Sequence, residues 1–122
     1  MNRMMRAIVP ALLLAASLIV SAAAQTVSGR YALAGKNFDG SNYAGTVEIS
    51  PNGSTCRIVW QTGDSRSEGL CMLSGNTLAA FYRLGSEYGI AIYELQPDGS
   101  LRGRWSVADK PGVGTELLIP QK

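Results

Sequence analysis

The chain has 122 residues, 11 Lys and Arg against 9 Asp and Glu, no histidine and two cysteines. That length suits one domain, and the lack of histidine removes the commonest general base and transition-metal ligand, so no Ser-His-Asp or Cys-His site can exist. The small basic surplus also points away from nucleic acid. Arg3 and Arg6 fall in a segment expected to be removed, and without them the two signs balance, leaving nothing to neutralise a phosphate backbone.

The chain opens with a charged stretch, Met1 to Arg6, followed by an apolar run from Ala7 to Val20 and then Ala22-Ala23-Ala24. These are the parts of a secretory signal, with cleavage expected before Gln25. The apolar run falls short of the ~20 residues of a membrane span, and Pro10 near its start opposes a long helix. No transmembrane anchor is therefore expected after cleavage. No Cys follows the run for lipid attachment, and there is no twin-Arg pair. The reading is a signal peptide over 1–24 and a single all-β domain over 25–122, exported to the periplasm or secreted.

Within that domain, short β-rich runs recur between turn residues every 8–12 positions. Strands are expected near 28–35, 43–50, 55–61, 67–73, 77–83, 89–96, 101–107 and 114–119. Alternation supports them: Tyr43, Gly45, Val47 and Ile49 share one face, as do Cys56, Ile58 and Trp60, and Leu101, Gly103, Trp105 and Val107. Pro51-Asn52-Gly53-Ser54 and Pro97-Asp98-Gly99-Ser100 read as turns in which Pro presets the first turn residue and Gly takes the left-handed position. Gly63-Asp64 and Ser74-Gly75-Asn76-Thr77 are further tight turns. The expected fold is a small antiparallel up-and-down meander of about eight strands, closed into a barrel to remove its edges. A two-sheet sandwich is the alternative.

If Gly63-Asp64 is a two-residue hairpin loop, Cys56 falls directly opposite Cys71. An exported chain with two cysteines so placed implies a disulfide. A metal role is the weaker reading, because two thiolates without histidine make a poor site. The segments from Tyr43 to Trp60 and from Tyr88 to Trp105 also resemble one another: each runs Tyr, strand, turn, strand, Trp. Their turns are offset by one residue.

Catalytic chemistry is not visible. The acids Asp39, Glu48, Asp64, Glu68, Glu87, Glu94, Asp98, Asp109 and Glu116 are scattered, mostly in or beside turns. No catalytic motif is present, and neither enzyme activity, a metal nor a cofactor is expected. Asn37 to Asn42 has oxygen ligands around Gly40, but it reads as an Asx-rich turn, since calcium needs more ordered carboxylates. The aromatic residues are more informative. An eight-stranded interior either fills with side chains or holds one small ligand. Trp60, Tyr82, Tyr93 and Trp105 are the candidates for lining such a site. On the opposite face Leu70, Met72, Ala79 and Phe81 form an apolar strip. Leu70, Met72 and Phe81 are the candidates for a protein contact.

The grammar of turns and aromatics resembles a group of small secreted β-proteins from alphaproteobacteria. The resemblance is carried by Gly29-Arg30-Tyr31, by Asp39-Gly40-Ser41-Asn42-Tyr43-Ala44-Gly45-Thr46-Val47-Glu48-Ile49 and by Trp60. It continues through Asp98-Gly99-Ser100-Leu101-Arg102-Gly103-Arg104-Trp105 and Gly114-Thr115-Glu116-Leu117-Leu118-Ile119-Pro120. These motifs are structural, and Gly69-Leu70-Cys71 departs from the group's central G-x-G. The resemblance identifies a fold more than an activity; some members of the group carry a fibronectin-binding label. Export, balanced charge, a stapled β-structure and the lack of catalytic groups make the leading expectation a non-catalytic binding or structural module with a protein or envelope partner. The alternatives are a lipocalin- or avidin-like carrier of a small apolar ligand, and a periplasmic protease inhibitor using Gln25-Thr26-Val27-Ser28 as an arm.

Overall fold

The computed structural model describes residues 27–122; the expected leader, its cleavage site, Gln25 and Thr26 lie outside the described residues. Eight strands follow one another: β1 Gly29–Lys36, β2 Asn42–Asn52, β3 Thr55–Thr62, β4 Ser65–Ser74, β5 Thr77–Leu84, β6 Glu87–Leu95, β7 Leu101–Val107 and β8 Gly114–Pro120. Each pairs antiparallel with its sequence neighbour, and β8 closes on β1 from Tyr31↔Pro120 to Lys36↔Thr115. The fold is therefore a closed up-and-down barrel, not a sandwich.

Turn chemistry sets the register. Gly63-Asp64 makes a two-residue loop between Thr62 and Ser65, and Cys56 pairs with Cys71 as that turn requires. The two are joined by a disulfide. One turn differs from expectation. Pro51 stays within β2 opposite Cys56, Asn52 pairs with Thr55, and the chain reverses at Gly53-Ser54 with Gly53 at φ +63°. The left-handed demand falls on glycine alone, so Pro51 remains an exposed strand residue. The Asp39 and Asp98 side chains each accept hydrogen bonds from the amide and hydroxyl of the serine two residues on, Ser41 and Ser100. Asp39-Gly40-Ser41 is thus an Asx turn whose carboxylate is occupied locally, and among the described residues no cluster suited to a metal is found.

The two ends of the barrel are filled differently. At the end carrying the turns near 53, 75 and 98, the interior is solid: Ile58, Leu78, Leu101 and Leu118 are wholly buried, with Val47, Ile49 and Cys71 close to it. Val27 is buried there too, and its carbonyl accepts the Tyr31 hydroxyl proton at 2.7 Å. That half of the supposed inhibitor arm is tied into the barrel instead of extending from it. The opposite end carries the loops 37–41 and 108–113 and the inward aromatic residues.

The expected Tyr-to-Trp repeat holds only in part. Trp60 and Trp105 both point inward, but Tyr43 lies inside while Tyr88 is on the outer face, 49% exposed, with Gly89 taking the inward position. A one-residue shift moves a strand side chain to the other face. The offset between the two turns has that consequence here.

Candidate functional site

The open end holds a cavity of about 240 Å³. Its walls are aromatic: Tyr43 from β2, Trp60 from β3, Tyr82 from β5, Tyr93 from β6 and Trp105 from β7, with Glu116 from β8 among them. All four candidates named from sequence, Trp60, Tyr82, Tyr93 and Trp105, are thus brought to one cavity. Tyr43 and Glu116 were not foreseen. Glu116 had a readable signal: it shares the strand phase of Gly114 and Leu118, which point inward, and alternates with the outward Thr115.

Four of the five rings lie directly across from a glycine on the neighbouring strand. The pairs are Tyr43 with Gly35, Tyr82 with Gly89, Tyr93 with Gly103 and Trp105 with Gly114. Each ring covers the glycine so closely that a Cβ there would meet ring atoms at 2.2–2.6 Å. The missing side chains are what let large aromatic residues lie flat against the inner wall. Tyr43 and Trp105 meet edge to face at 6.2 Å, as do Trp60 and Tyr82 at 5.5 Å. Phe38, in the loop 37–41, packs on Trp105 in a tilted pair with centroids 4.8 Å apart.

Glu116 is the polar centre. Its Oε1 accepts the Tyr93 hydroxyl at 2.5 Å and the Trp60 indole N–H at 3.2 Å, and its Oε2 accepts the Tyr43 hydroxyl at 2.5 Å. The indole N–H of Trp60 also reaches the Tyr93 oxygen at 3.0 Å. Burial pushes the carboxyl pKa above its ordinary 4.5, and the three donors oppose that rise. A raised acid pKa means the folded state holds the proton more tightly than the unfolded chain. Stability from this group is therefore full below 4.5 and is lost as pH rises through the raised value. Wherever the pH lies above that raised value, Glu116 is a charge kept in place at the expense of the fold, which is the pattern of a functional group. The Trp105 indole N–H, beside these rings, is the one buried side-chain polar atom without a hydrogen-bond partner among the described residues.

The phenols answer to the same environment. Burial raises the pKa of Tyr31, Tyr43, Tyr82 and Tyr93, with the Glu116 charge adding to the rise in the last three; Tyr82 is pushed up to about 12. Above pH 10.0 the unfolded chain ionises phenols that the fold keeps protonated, so stability falls as pH rises. At pH about 11, ultraviolet titration is expected to show the phenolate absorbance of Tyr43, Tyr82 and Tyr93 only as the circular dichroism of the barrel is lost. Their phenolate signal with the barrel intact would contradict this electrostatic picture.

The second concavity lies on the outside. Leu70, Met72, Phe81, Ile90 and Ile92 are exposed on neighbouring positions of β4, β5 and β6, beside Val113. Leu70, Met72 and Phe81, the protein-contact candidates, are therefore on the outer surface as expected, and Ile90 and Ile92 extend their strip. Elsewhere the outer wall carries exposed ion pairs such as Arg57–Glu68 at 2.7 Å, each worth roughly 0–1 kcal/mol.

No protein-family model matches the chain, and neither does any curated protein sequence. Solved structures do. The chain is similar to a redesigned β-barrel with a TM-score of 0.71, 16% identity, and coverage of 81% of this chain and 95% of that one. It is also similar to mFAP1, a redesigned β-barrel bound to DFHBI, with a TM-score of 0.67, 18% identity, and coverage of 80% and 97%. A fatty acid binding protein of Schistosoma mansoni in complex with arachidonic acid follows at 0.53, with 12% identity and coverage of 81% and 98%. At these identities the likeness concerns the fold.

Proposed function

We propose that this protein is a non-enzymatic barrel that binds one small ligand in its open end, in an oxidising compartment outside the cytoplasm. The observation that carries the reading is the uneven filling of the interior. One end is solid, while the other keeps a cavity with aromatic walls and a buried carboxylate. Barrels of this size either fill or hold one ligand, and here the two solutions occupy opposite ends. The cavity is below the ~300–1,000 Å³ of a drug-sized site, so the ligand is compact. The Cys56–Cys71 disulfide supports the oxidising compartment. Barrels of similar fold in complex with small molecules, DFHBI in one and arachidonic acid in another, support the binding mode by analogy.

Native mass spectrometry of the exported protein, non-reduced, tests this. The expected spectrum is a chain cut before Gln25, two hydrogens lighter for the disulfide, with a reproducible small-molecule mass. Ser67→Phe, which fills the cavity from β4, should lose that mass, and Met72→Glu on the outer wall should keep it. An added mass that survives Ser67→Phe and disappears in Met72→Glu would refute the interior site.

The outer strip supports a second reading, a contact with a protein partner. Its specific observation is the exposure of Leu70 and Met72 at 54% and Ile90 at 65% on adjoining strands. Contiguous apolar side chains of this kind mark contact surfaces on soluble proteins.

A further inference from the structure

A cavity of this shape could take a fatty acid, a neutral apolar molecule or a cation, and its chemistry separates them. The argument rests on the interior site proposed above. The solid end leaves no channel for an acyl chain, since Ile58, Leu78, Leu101 and Leu118 close it completely. The wall contains one ionisable acid, Glu116, and no Lys or Arg. An anion would enter a low-dielectric site beside a carboxylate, with no counter-charge to meet it. A neutral apolar ligand would gain nothing from the carboxylate and would bury it further from water.

A cation meets the opposite situation. Tyr43, Trp60, Tyr82, Tyr93 and Trp105 surround the space, and the two edge-to-face pairs turn ring faces in different directions. Ring faces carry the negative side of the aromatic quadrupole and attract an ammonium group, most strongly when it is desolvated. Of the four lone-pair positions on the Glu116 carboxylate, three are taken by Tyr43, Tyr93 and Trp60. All three partners are donors, which hold the group as an acceptor and orient it. The glycine beneath four of the rings fixes the walls before any ligand arrives, which lowers the cost of ordering on binding.

We propose that the open end is a receptor site for a small organic cation, an alkyl- or arylalkylammonium compound, with the five rings as a cage and Glu116 as its counter-ion.

Isothermal titration calorimetry at neutral pH with a matched set tests this. Choline is the cation, 3,3-dimethylbutan-1-ol its neutral isostere and 3,3-dimethylbutanoate the anion. Benzyltrimethylammonium, neopentylbenzene and phenylacetate form a larger set of the same design. The cation of at least one set is expected to bind about tenfold tighter or more than its neutral isostere, and the anions not at all. Glu116→Gln should weaken the cation by about tenfold and leave the neutral isostere unchanged. The amide fits the same space, because its oxygen can accept from Tyr93 and Trp60 while its NH2 donates to the Tyr43 oxygen. Tyr82→Leu removes a cage wall and should weaken the cation several-fold. Tyr82→Phe keeps the ring and should change affinity by less than about twofold, which separates the wall from the hydrogen bond that the Tyr82 hydroxyl donates to the Ser106 carbonyl at 2.8 Å. Neutral or anionic members that bind as tightly as the cation would overturn the charge preference and leave the interior site standing. So would a cation indifferent to both Glu116→Gln and Tyr82→Leu. Failure of every member of both sets to bind would take the interior site down as well.

Discussion

Gly103→Ala is expected to destabilise the barrel by about 3 kcal/mol, the upper part of the usual range for overpacking, lowering the melting temperature by about 12 °C or more. An alanine normally improves on glycine within a strand, since it restricts the unfolded chain. Here the added Cβ would stand 2.3 Å from Cδ1 of Tyr93 and 2.7 Å from the Ile92 carbonyl oxygen. Tyr93 cannot give way. It is 1% exposed, its hydroxyl donates to Glu116, and it accepts from Trp60. Moving the ring breaks that network, and moving the backbone breaks the ladder between β6 and β7. Thermal and urea unfolding followed by circular dichroism give the number. Tyr93→Leu, costly by itself, is expected to cancel much of the Gly103→Ala penalty, because the two changes act on one contact. A loss below about 1 kcal/mol, or strict additivity of the pair, would show that the ring over the glycine is not a fixed part of the wall.

Replacing both cysteines, as Cys56→Ala with Cys71→Ala, is expected to cost a further large amount, about 3 kcal/mol. The bridge joins residues 15 apart in sequence, and the cost arises mainly from the freedom returned to the unfolded chain. Cys71 is 1% exposed and Cys56 6%, so packing adds to the loss. A domain of this size has about 5–15 kcal/mol in total, which makes the bridge a substantial fraction. Because both sulfurs are inside the barrel, reductant should act on the native protein slowly and on the unfolded protein at once. A double variant within about 1 kcal/mol of the parent would show that β3 and β4 are held without it.

These two effects mark what the sequence made legible. The Cys56–Cys71 bridge followed from one two-residue turn and the period of a strand, which are local features. The inward positions of Trp60 and Trp105 followed from the same alternation, and Tyr82 and Tyr93 were named beside them as candidates. Their convergence on one cavity did not, because it depends on closure of β8 on β1 and on which end of the barrel each ring occupies. Glu116 shows the difference most clearly. Its phase between Gly114 and Leu118 was visible, but an acid beside a turn reads as a solvated residue until Tyr43, Trp60 and Tyr93 are seen to surround it. Tyr88 shows the reverse error: its spacing from Trp105 matched that of Tyr43 from Trp60, and one residue of offset placed it outside. Ile90 and Ile92 escaped notice as surface residues because an apolar run in a strand resembles a doubly buried one.

The glycines connect fold and site. They are where the barrel yields space to rings, and those rings hold Glu116. A buried carboxylate with a raised pKa is a cost the fold could avoid with a leucine, and its retention agrees with a binding role that trades stability for function.

The most direct measurement is a nitrogen-15 and methyl nuclear magnetic resonance titration with the choline and benzyltrimethylammonium probes. The chain has two tryptophans, and both indoles line the cavity. Saturable shifts of the Trp60 and Trp105 indole N–H resonances, with the Leu70, Met72 and Ile90 methyls unmoved, are the expected result. Shifts confined to those outer methyls, with both indoles silent, would contradict an interior site.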